Sequence, residues 1–142
     1  MAILLKHARE DASSEDGARV LVDRRRPSNI DKERLALRAW LAALAPSDEL
    51  RRWFAERPRQ WPLFRRRYLA DLCEQRAVDA LSELHVIANS EANTTLLTST
   101  KDLERSHAAI LRDLLEGVKK PPATSGPTRA ASSGRARARR SR

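Results

Sequence analysis

Apolar positions along the chain fall into short runs at both ends and a long spaced pattern between them. Ala2 to His7 is apolar and then turns abruptly polar, which predicts a short strand. Arg19 to Asp23 contains Val20-Leu21-Val22, a continuous run that suits a strand covered on both faces. Thr94 to Thr98 is β-branched and apolar, and predicts a third strand. The residues between the last two runs read as helix. Leu37, Trp40, Leu41 and Leu44 sit 3, 4 and 7 residues apart, which predicts a helix from a cap at Asp31 to about Ala45. Ser47 caps a second helix, with Leu50, Trp53 and Phe54 as its apolar stripe and Pro58 as its stop. A third starts near Trp61-Pro62 and carries Phe64, Tyr68, Leu72, Leu81 and Leu84, with an interruption expected near Glu74 to Ala77. A last helix has Asp102 or Thr100 as its cap, Leu103, His107, Ile110, Leu111 and Leu114 inward, and Gly117 as its stop.

Glu10 to Gly17 reads as an acidic loop closed by a glycine turn. The fold class is therefore α/β: a small, largely parallel sheet of about three strands covered by about four helices. Residues 1–118 form that domain. Residues 119–142, rich in Pro, Ser, Ala and Arg, show no apolar periodicity and should be disordered, because they bury too little to offset the entropy of ordering.

Charge changes the picture of that segment. The chain of 142 residues carries 28 Lys and Arg against 19 Asp and Glu, for a formal net charge of +9. Eight of the basic residues lie in the tail, which has no acid: Lys119, Lys120, Arg129, Arg135, Arg137, Arg139, Arg140 and Arg142. Removing those eight leaves 20 basic residues against 19 acidic ones, so the body is nearly neutral. Such a tail attracts nucleic-acid phosphate without regard to base sequence, since it has no aromatic residue for stacking. A solubilising extension has the same composition. No amphipathic helix or lipidation motif accompanies the charge, which argues against a membrane partner. The N-terminal apolar stretch is too short for a signal-peptide core, so the expected compartment is the cytoplasm. The single cysteine, Cys73, lies in a helical pattern and reads as a buried small residue.

Candidate chemistry is sparse. Asp23-Arg24 ends the second strand and Lys101-Asp102 ends the third. If those strands are parallel neighbours, both clusters open on one edge, where ligands of open α/β sheets bind. Arg24 and Lys101 would hold an anion there, and Asp23 or Asp102 would act as a base or position a partner. Their structural readings are an Asp23–Arg24 ion pair and an Asp102 helix cap. His107 is the one histidine near Lys101-Asp102, and a packed, hydrogen-bonded ring is its plainer reading. Metal-ligand spacing, phosphate-cradling glycine loops and a nucleophile elbow are all missing, so no cofactor and no metal is expected. Seven arginines lie from Arg51 to Arg67 against a single acid, Glu56, interleaved with Trp53, Phe54, Trp61 and Phe64. That is a nucleic-acid composition, but these aromatics occupy the apolar helix stripes and are expected in the core.

Several segments resemble the YeaO-like family, domain of unknown function 488. They are Asp16 to Arg24 (Asp-Gly-Ala-Arg-Val-Leu-Val-Asp-Arg), then Pro27, Lys32 and Trp40, Ala45-Pro46-Ser47, Leu50-Arg51, Trp53-Phe54, Phe64 and Tyr68. Thr95-Leu96-Leu97, Lys101-Asp102 and His107-Ala108 complete the match, over about residues 3 to 116. With Lys32, which the resemblance covers, the candidate site residues are Asp23, Arg24, Lys32, Lys101, Asp102 and His107; the resemblance itself implies no reaction. Four segments depart from the family pattern. Leu-Trp-Pro-Arg-Gly is replaced by Arg25-Arg26-Pro27-Ser28-Asn29, and Gly-His by Ala55-Glu56. Tyr-Ala-Ala is replaced by Thr98-Ser99-Thr100, and His-Asn by Arg105-Ser106. Core-type positions persist while distinctive polar and aromatic ones are exchanged, which implies a divergent member that has lost or altered a family activity. Two readings of function follow: a non-catalytic binding or accessory protein with a nucleic-acid-contacting tail, or an enzyme acting on a phosphate-bearing or other anionic substrate at Asp23, Arg24, Lys101 and Asp102.

Overall fold

In the computed structural model, residues 2–119 are described. Four strands form one parallel sheet in the order β1-β4-β2-β3: β1 (Ala2–His7), β2 (Ala18–Leu21), β3 (Ala39–Trp40) and β4 (Asn93–Thr98). Register sets Ala2 opposite Asn93 and His7 opposite Thr98, then Ala18 opposite Thr94 and Leu21 opposite Leu97. The carboxyl ends of all four strands thus share one edge, and β2 and β4 are neighbours, the condition for a shared strand-end site. Central strands of a parallel sheet are buried on both faces. Accordingly, all four residues of β2 and five of the six in β4 are buried.

Side chains alternate between two unequal layers. Val20, Val22 and Leu96 join the main core with Tyr68 of α3 (Trp61–Asp71), Leu84 and Ile87 of α4 (Gln75–Ser90), and Ile110 and Leu111 of α5 (His107–Lys119). Leu21 and Leu97 point the other way and form a small cluster with Ala8 and Leu37. Arg19 and Thr95 accompany them on that second face. Both are satisfied: Arg19 donates to Asp16 Oδ2 at 2.7 Å and to the Leu35 carbonyl at 2.8 Å, and Thr95 Oγ1 donates to the Asp16 carbonyl at 2.8 Å. Asp16 therefore closes the acidic loop from inside the protein. It also accepts from the Ser13 backbone N–H, forming a capping box for the 3-10 turn Ser14–Asp16. Gly17 follows at φ +63°, with the Asn93 carbonyl where a Cβ would stand.

The expected helix from Asp31 to Ala45 does not form. α1 covers only Lys32–Leu35, and Ala36 leaves it in the left-handed region at φ 49°. The chain then extends so that Ala39 and Trp40 pair with Val20 and Leu21 as the fourth strand, and Ala42–Leu44 makes a 3-10 turn. Leu41 and Leu44 are still buried, but Trp40 is 44% exposed. The 3-and-4 spacing that suggested a helix is met by an irregular chain that dips twice into the core.

α2 (Asp48–Glu56) starts where expected, with Ser47 Oγ accepting from the Leu50 N–H at 3.0 Å. The expected interruption exists but falls slightly earlier, at residues 72–74 between α3 and α4, so that of Glu74 to Ala77 only Glu74 lies in the break. Three further expectations are corrected. Cys73 falls in that break and is exposed instead of buried. Gly117 does not stop α5, which continues to Lys119. Asp102 does not cap α5: a 3-10 turn, Leu103–Arg105, intervenes, and the Asp102 side chain makes no capping bond. Among the described residues, no helix is long and apolar enough to cross a membrane. Of the tail residues, Lys119 ends α5 and the others, Lys120 to Arg142, lie outside the described residues.

A candidate anion-binding cleft at the strand ends

A cleft of about 640 Å³ opens at the carboxyl edge of β2 and β4, between α2 and the start of α5. Asp23, Arg24, Asp102 and His107 line it, so four of the six candidate residues converge. Lys101 is exposed and does not line the cleft. Lys32 lines a separate small pocket of about 220 Å³ with Arg26, Leu35, Leu37 and Trp40.

Asp23 and Arg24 do not pair with each other; they are neighbours that turn to different partners. Arg24 reaches Asp48 of α2 at 3.6 Å and the Pro46 carbonyl at 3.4 Å. Asp23 turns towards β4, where its Oδ1 accepts from Thr98 Oγ1 at 2.7 Å and its Oδ2 from the Ser99 N–H at 2.7 Å. His107 completes the group. Its Nε2 lies 2.8 Å from the Val22 carbonyl and 3.4 Å from Asp23 Oδ1. A carbonyl oxygen only accepts, so Nε2 carries the proton and donates. The ring is buried and stands edge-on to Tyr68, with centroids 5.7 Å apart. Tyr68 in turn donates to the Leu44 carbonyl at 2.6 Å. The plainer reading of His107, a packed and hydrogen-bonded ring, is thus the one its geometry supports.

Electrostatics follow from these bonds. Burial pushes the Asp23 carboxyl up, but the hydrogen bonds from His107, Thr98 and Ser99 outweigh it and hold Asp23 below its ordinary value. Asp23 is therefore a fixed anion with both oxygens engaged, a poor proton acceptor. Asp102 makes no side-chain hydrogen bond or ion pair among the described residues and lines the same cleft. The charged part of the wall has a cationic excess: five arginines, Arg24, Arg25, Arg26, Arg51 and Arg105, face three aspartates, Asp23, Asp48 and Asp102. Ala45, Pro46, Phe54, Ala55, Pro58 and Phe64 make an apolar side. Arg24 and Arg51 share Asp48, at 3.6 and 3.8 Å. Arg25, Arg26 and Arg105 have no acid partner among the described residues.

Sequence reasoning missed Arg25, Arg26 and Arg105 as site residues, although it marked all three as departures from the family pattern. The four departing segments come together here. Arg25 and Arg26, Ala55, Ser99 and Thr100, and Arg105 and Ser106 all line the one cleft. The signal was present as a set of exchanged residues, and only the fold shows that they share a site. The aromatics of the arginine-rich stretch pack as core residues, and Phe54 and Phe64 also form part of the cleft wall. Phe64 is buried, Phe54 and Trp61 pack on the core, and Trp53 is covered by Arg57 and Arg67 at 5.5 and 4.5 Å.

The family described as the inactive DUF488-N3 subclade matches residues 2–133, most of the chain. The chain belongs to that family. An uncharacterized protein of Mycobacterium tuberculosis is 38% identical over 108 residues, covering 76% of this chain and 88% of that protein. The uncharacterized protein YeaO of Escherichia coli is 36% identical over 118 residues, covering 83% of this chain and the whole of YeaO. No solved structure matches the chain significantly. The family match extends past the span of about 3 to 116 on which the resemblance rests, into the basic segment.

Proposed function

We propose that this member of the DUF488-N3 subclade is a non-catalytic binding protein whose strand-end cleft takes a phosphate-bearing or similar anion. One observation carries the reading. Arg25, Arg26 and Arg105 line the cleft without an acid partner among the described residues, while the carboxylate of Asp23 and the imidazole of His107 are held by backbone and hydroxyl groups. A guanidinium offers a planar fork of donors matched to phosphate and keeps its charge at any physiological pH. Catalysis would need a free base or nucleophile with a base beside it. Asp23 is fully occupied, the unengaged carboxylate of Asp102 is bonded to no hydroxyl, and the hydroxyls of Ser99, Thr100 and Ser106 bond no imidazole among the described residues. The description of the subclade as inactive points the same way.

The competing reading makes the site an enzyme for an anionic substrate, with Asp102 as the unengaged carboxylate. Calorimetric titration of the full chain with pyrophosphate and tripolyphosphate separates the two. Binding without phosphate release, weakened about ten- to hundredfold by Arg105→Ala, is expected from the loss of charge-assisted hydrogen bonds. Phosphate release that Asp102→Asn abolishes would favour the enzyme. Absence of binding at low salt would remove the anion site.

The basic segment supports a second contact. Its eight cations attract nucleic-acid phosphate, with affinity falling steeply as salt rises. Deleting residues 120–142, which removes all of them but Lys119, is expected to abolish retention on DNA at low salt and to leave the cleft's phosphate binding intact. Unchanged retention would sink that contact.

A further inference from the structure

The cleft does not end at its arginines. Arg26 lines both the large cleft and the adjoining 220 Å³ pocket, so the two cavities share a wall. The chemistry of the second pocket differs. Its walls are Leu35, Leu37 and the indole of Trp40, with Arg26 and Lys32 as its cations. Trp40 is 44% exposed, yet its ring is not loose, because Nε1 donates to the Asp23 carbonyl at 2.8 Å. A tryptophan held this way offers a fixed aromatic surface beside positive charge and over aliphatic side chains. Flat heteroaromatic rings stack on such surfaces, and cations beside them favour a ligand that is also anionic. The pocket has room for a single ring system and not for a whole nucleotide.

We propose that the two cavities form one bipartite nucleotide site: the cleft arginines hold the phosphate, and Trp40 stacks the base. The proposal rests on the anion-binding reading above and names its ligand class. Arg26, common to both walls, lies where base and phosphate meet. Trp40 Nε1 and Asp23 tie the halves together, since the backbone of Asp23 anchors the indole while its carboxylate anchors β4.

The test compares ADP with pyrophosphate on the full chain, with Trp40→Ala, Trp40→Phe and Arg26→Ala as variants checked for folding by circular dichroism. ADP is expected to bind more tightly than pyrophosphate by roughly five- to 150-fold, the range for one stacked base. In Trp40→Ala that excess falls to within about twofold, whereas Trp40→Phe retains part of it. Arg26→Ala weakens both ligands. ADP should also quench tryptophan fluorescence in the wild type and do so much less in Trp40→Phe. Equal affinity for ADP and pyrophosphate, unchanged by Trp40→Ala, would overturn the base pocket and leave the anion site standing. Failure of both ligands to bind would overturn the anion site and this proposal together. Base-bearing phosphate can come from a free nucleotide or from a nucleic acid, so a ten-residue oligothymidylate is run beside thymidine monophosphate. Much tighter oligonucleotide binding, still sensitive to Trp40→Ala, assigns a single strand as the source. Equal affinity per site assigns the free nucleotide.

Discussion

The hydroxyl of Thr98 donates to Asp23 Oδ1 across 2.7 Å, joining the last residue of β4 to the loop that leaves β2. The Ser99 N–H adds a second bond to the other carboxylate oxygen, so Asp23 fixes the floor of the cleft as an acceptor only. Asp23→Asn puts an amide where the carboxylate accepts two donors, and one of its ends then faces a donor it cannot satisfy. A loss of about 1.5–3 kcal/mol is expected, measured by urea unfolding. A loss under half a kcal/mol would mean that these bonds contribute little.

Asp23 and Asp16 also set the acid limit of the fold. For both, burial raises the carboxyl and hydrogen bonds overcome it: from His107, Thr98 and Ser99 at Asp23, and from Arg19, Ser13 and Lys6 at Asp16. Both folded values therefore lie below the ordinary 3.8. The unfolded chain binds these protons first, so the stabilisation is present above pH 3.8 and is lost as pH falls through the lowered folded values. Unfolding free energy is expected to drop below about pH 4, and Asp23→Asn should flatten the slope there. A wild-type profile that is level through this window would contradict both shifts.

Arg19 is a buried cation in the middle of a strand, and Asp16 is its counter-ion at 2.7 Å. Asp16→Ala leaves the guanidinium in the interior with only carbonyl partners. A buried charge deprived of its partner costs about 3–5 kcal/mol. Arg19→Met combined with Asp16→Ala removes both charges and is expected to be less damaging than the sum of the single changes. Additive losses in the double-mutant cycle would show that the pair is not coupled.

Gly17 has a left-handed φ of +63°, and a Cβ there would stand 2.0 Å from the Asn93 carbonyl oxygen. Strain and overlap together predict that Gly17→Ala costs at least about 3 kcal/mol or fails to fold. Gly117 is the control. It lies within α5, and a Cβ added there would meet no atom within 4 Å, so Gly117→Ala should stabilise by up to about 1 kcal/mol. Thermal denaturation of the two variants reads both signs.

Cys73 sits in the break between α3 and α4 and is exposed. Native protein is expected to release one equivalent of thiol anion from Ellman's reagent without denaturant. Reaction only after unfolding would restore the buried position that its sequence context suggested.

Much of the frame was legible in the residues. β1 was delimited as found, and β2 and β4 were placed within a residue or two, because short apolar runs bounded by polar residues have few other ways to be buried. The Ser47 cap, and to within a few residues the interruption expected near Glu74, were legible for a local reason: caps and helix interruptions depend on neighbours in sequence. β3 was not. A two-residue strand has no periodicity, and Ala39 and Trp40 are extended only because β2 offers an unpaired edge beside them. Trp40, expected inward on a helix, consequently lies at the mouth of a pocket.

The same division holds for the site. By itself the sequence determined the α/β class, the concentration of charge near the C-terminus, and the candidate positions Asp23, Arg24, Asp102 and His107. It also marked Arg25, Arg26, Arg105 and Ser106 as departures, without reason to connect them. Only the tertiary structure decided that they face one cleft, that Lys101 and Lys32 do not, and that Asp23 is bonded to Thr98 rather than to Arg24. Local signals act over a few residues along the chain. Side chains 75 or more positions apart meet only when strand order and register bring β2 beside β4, and those are properties of the whole packed sheet.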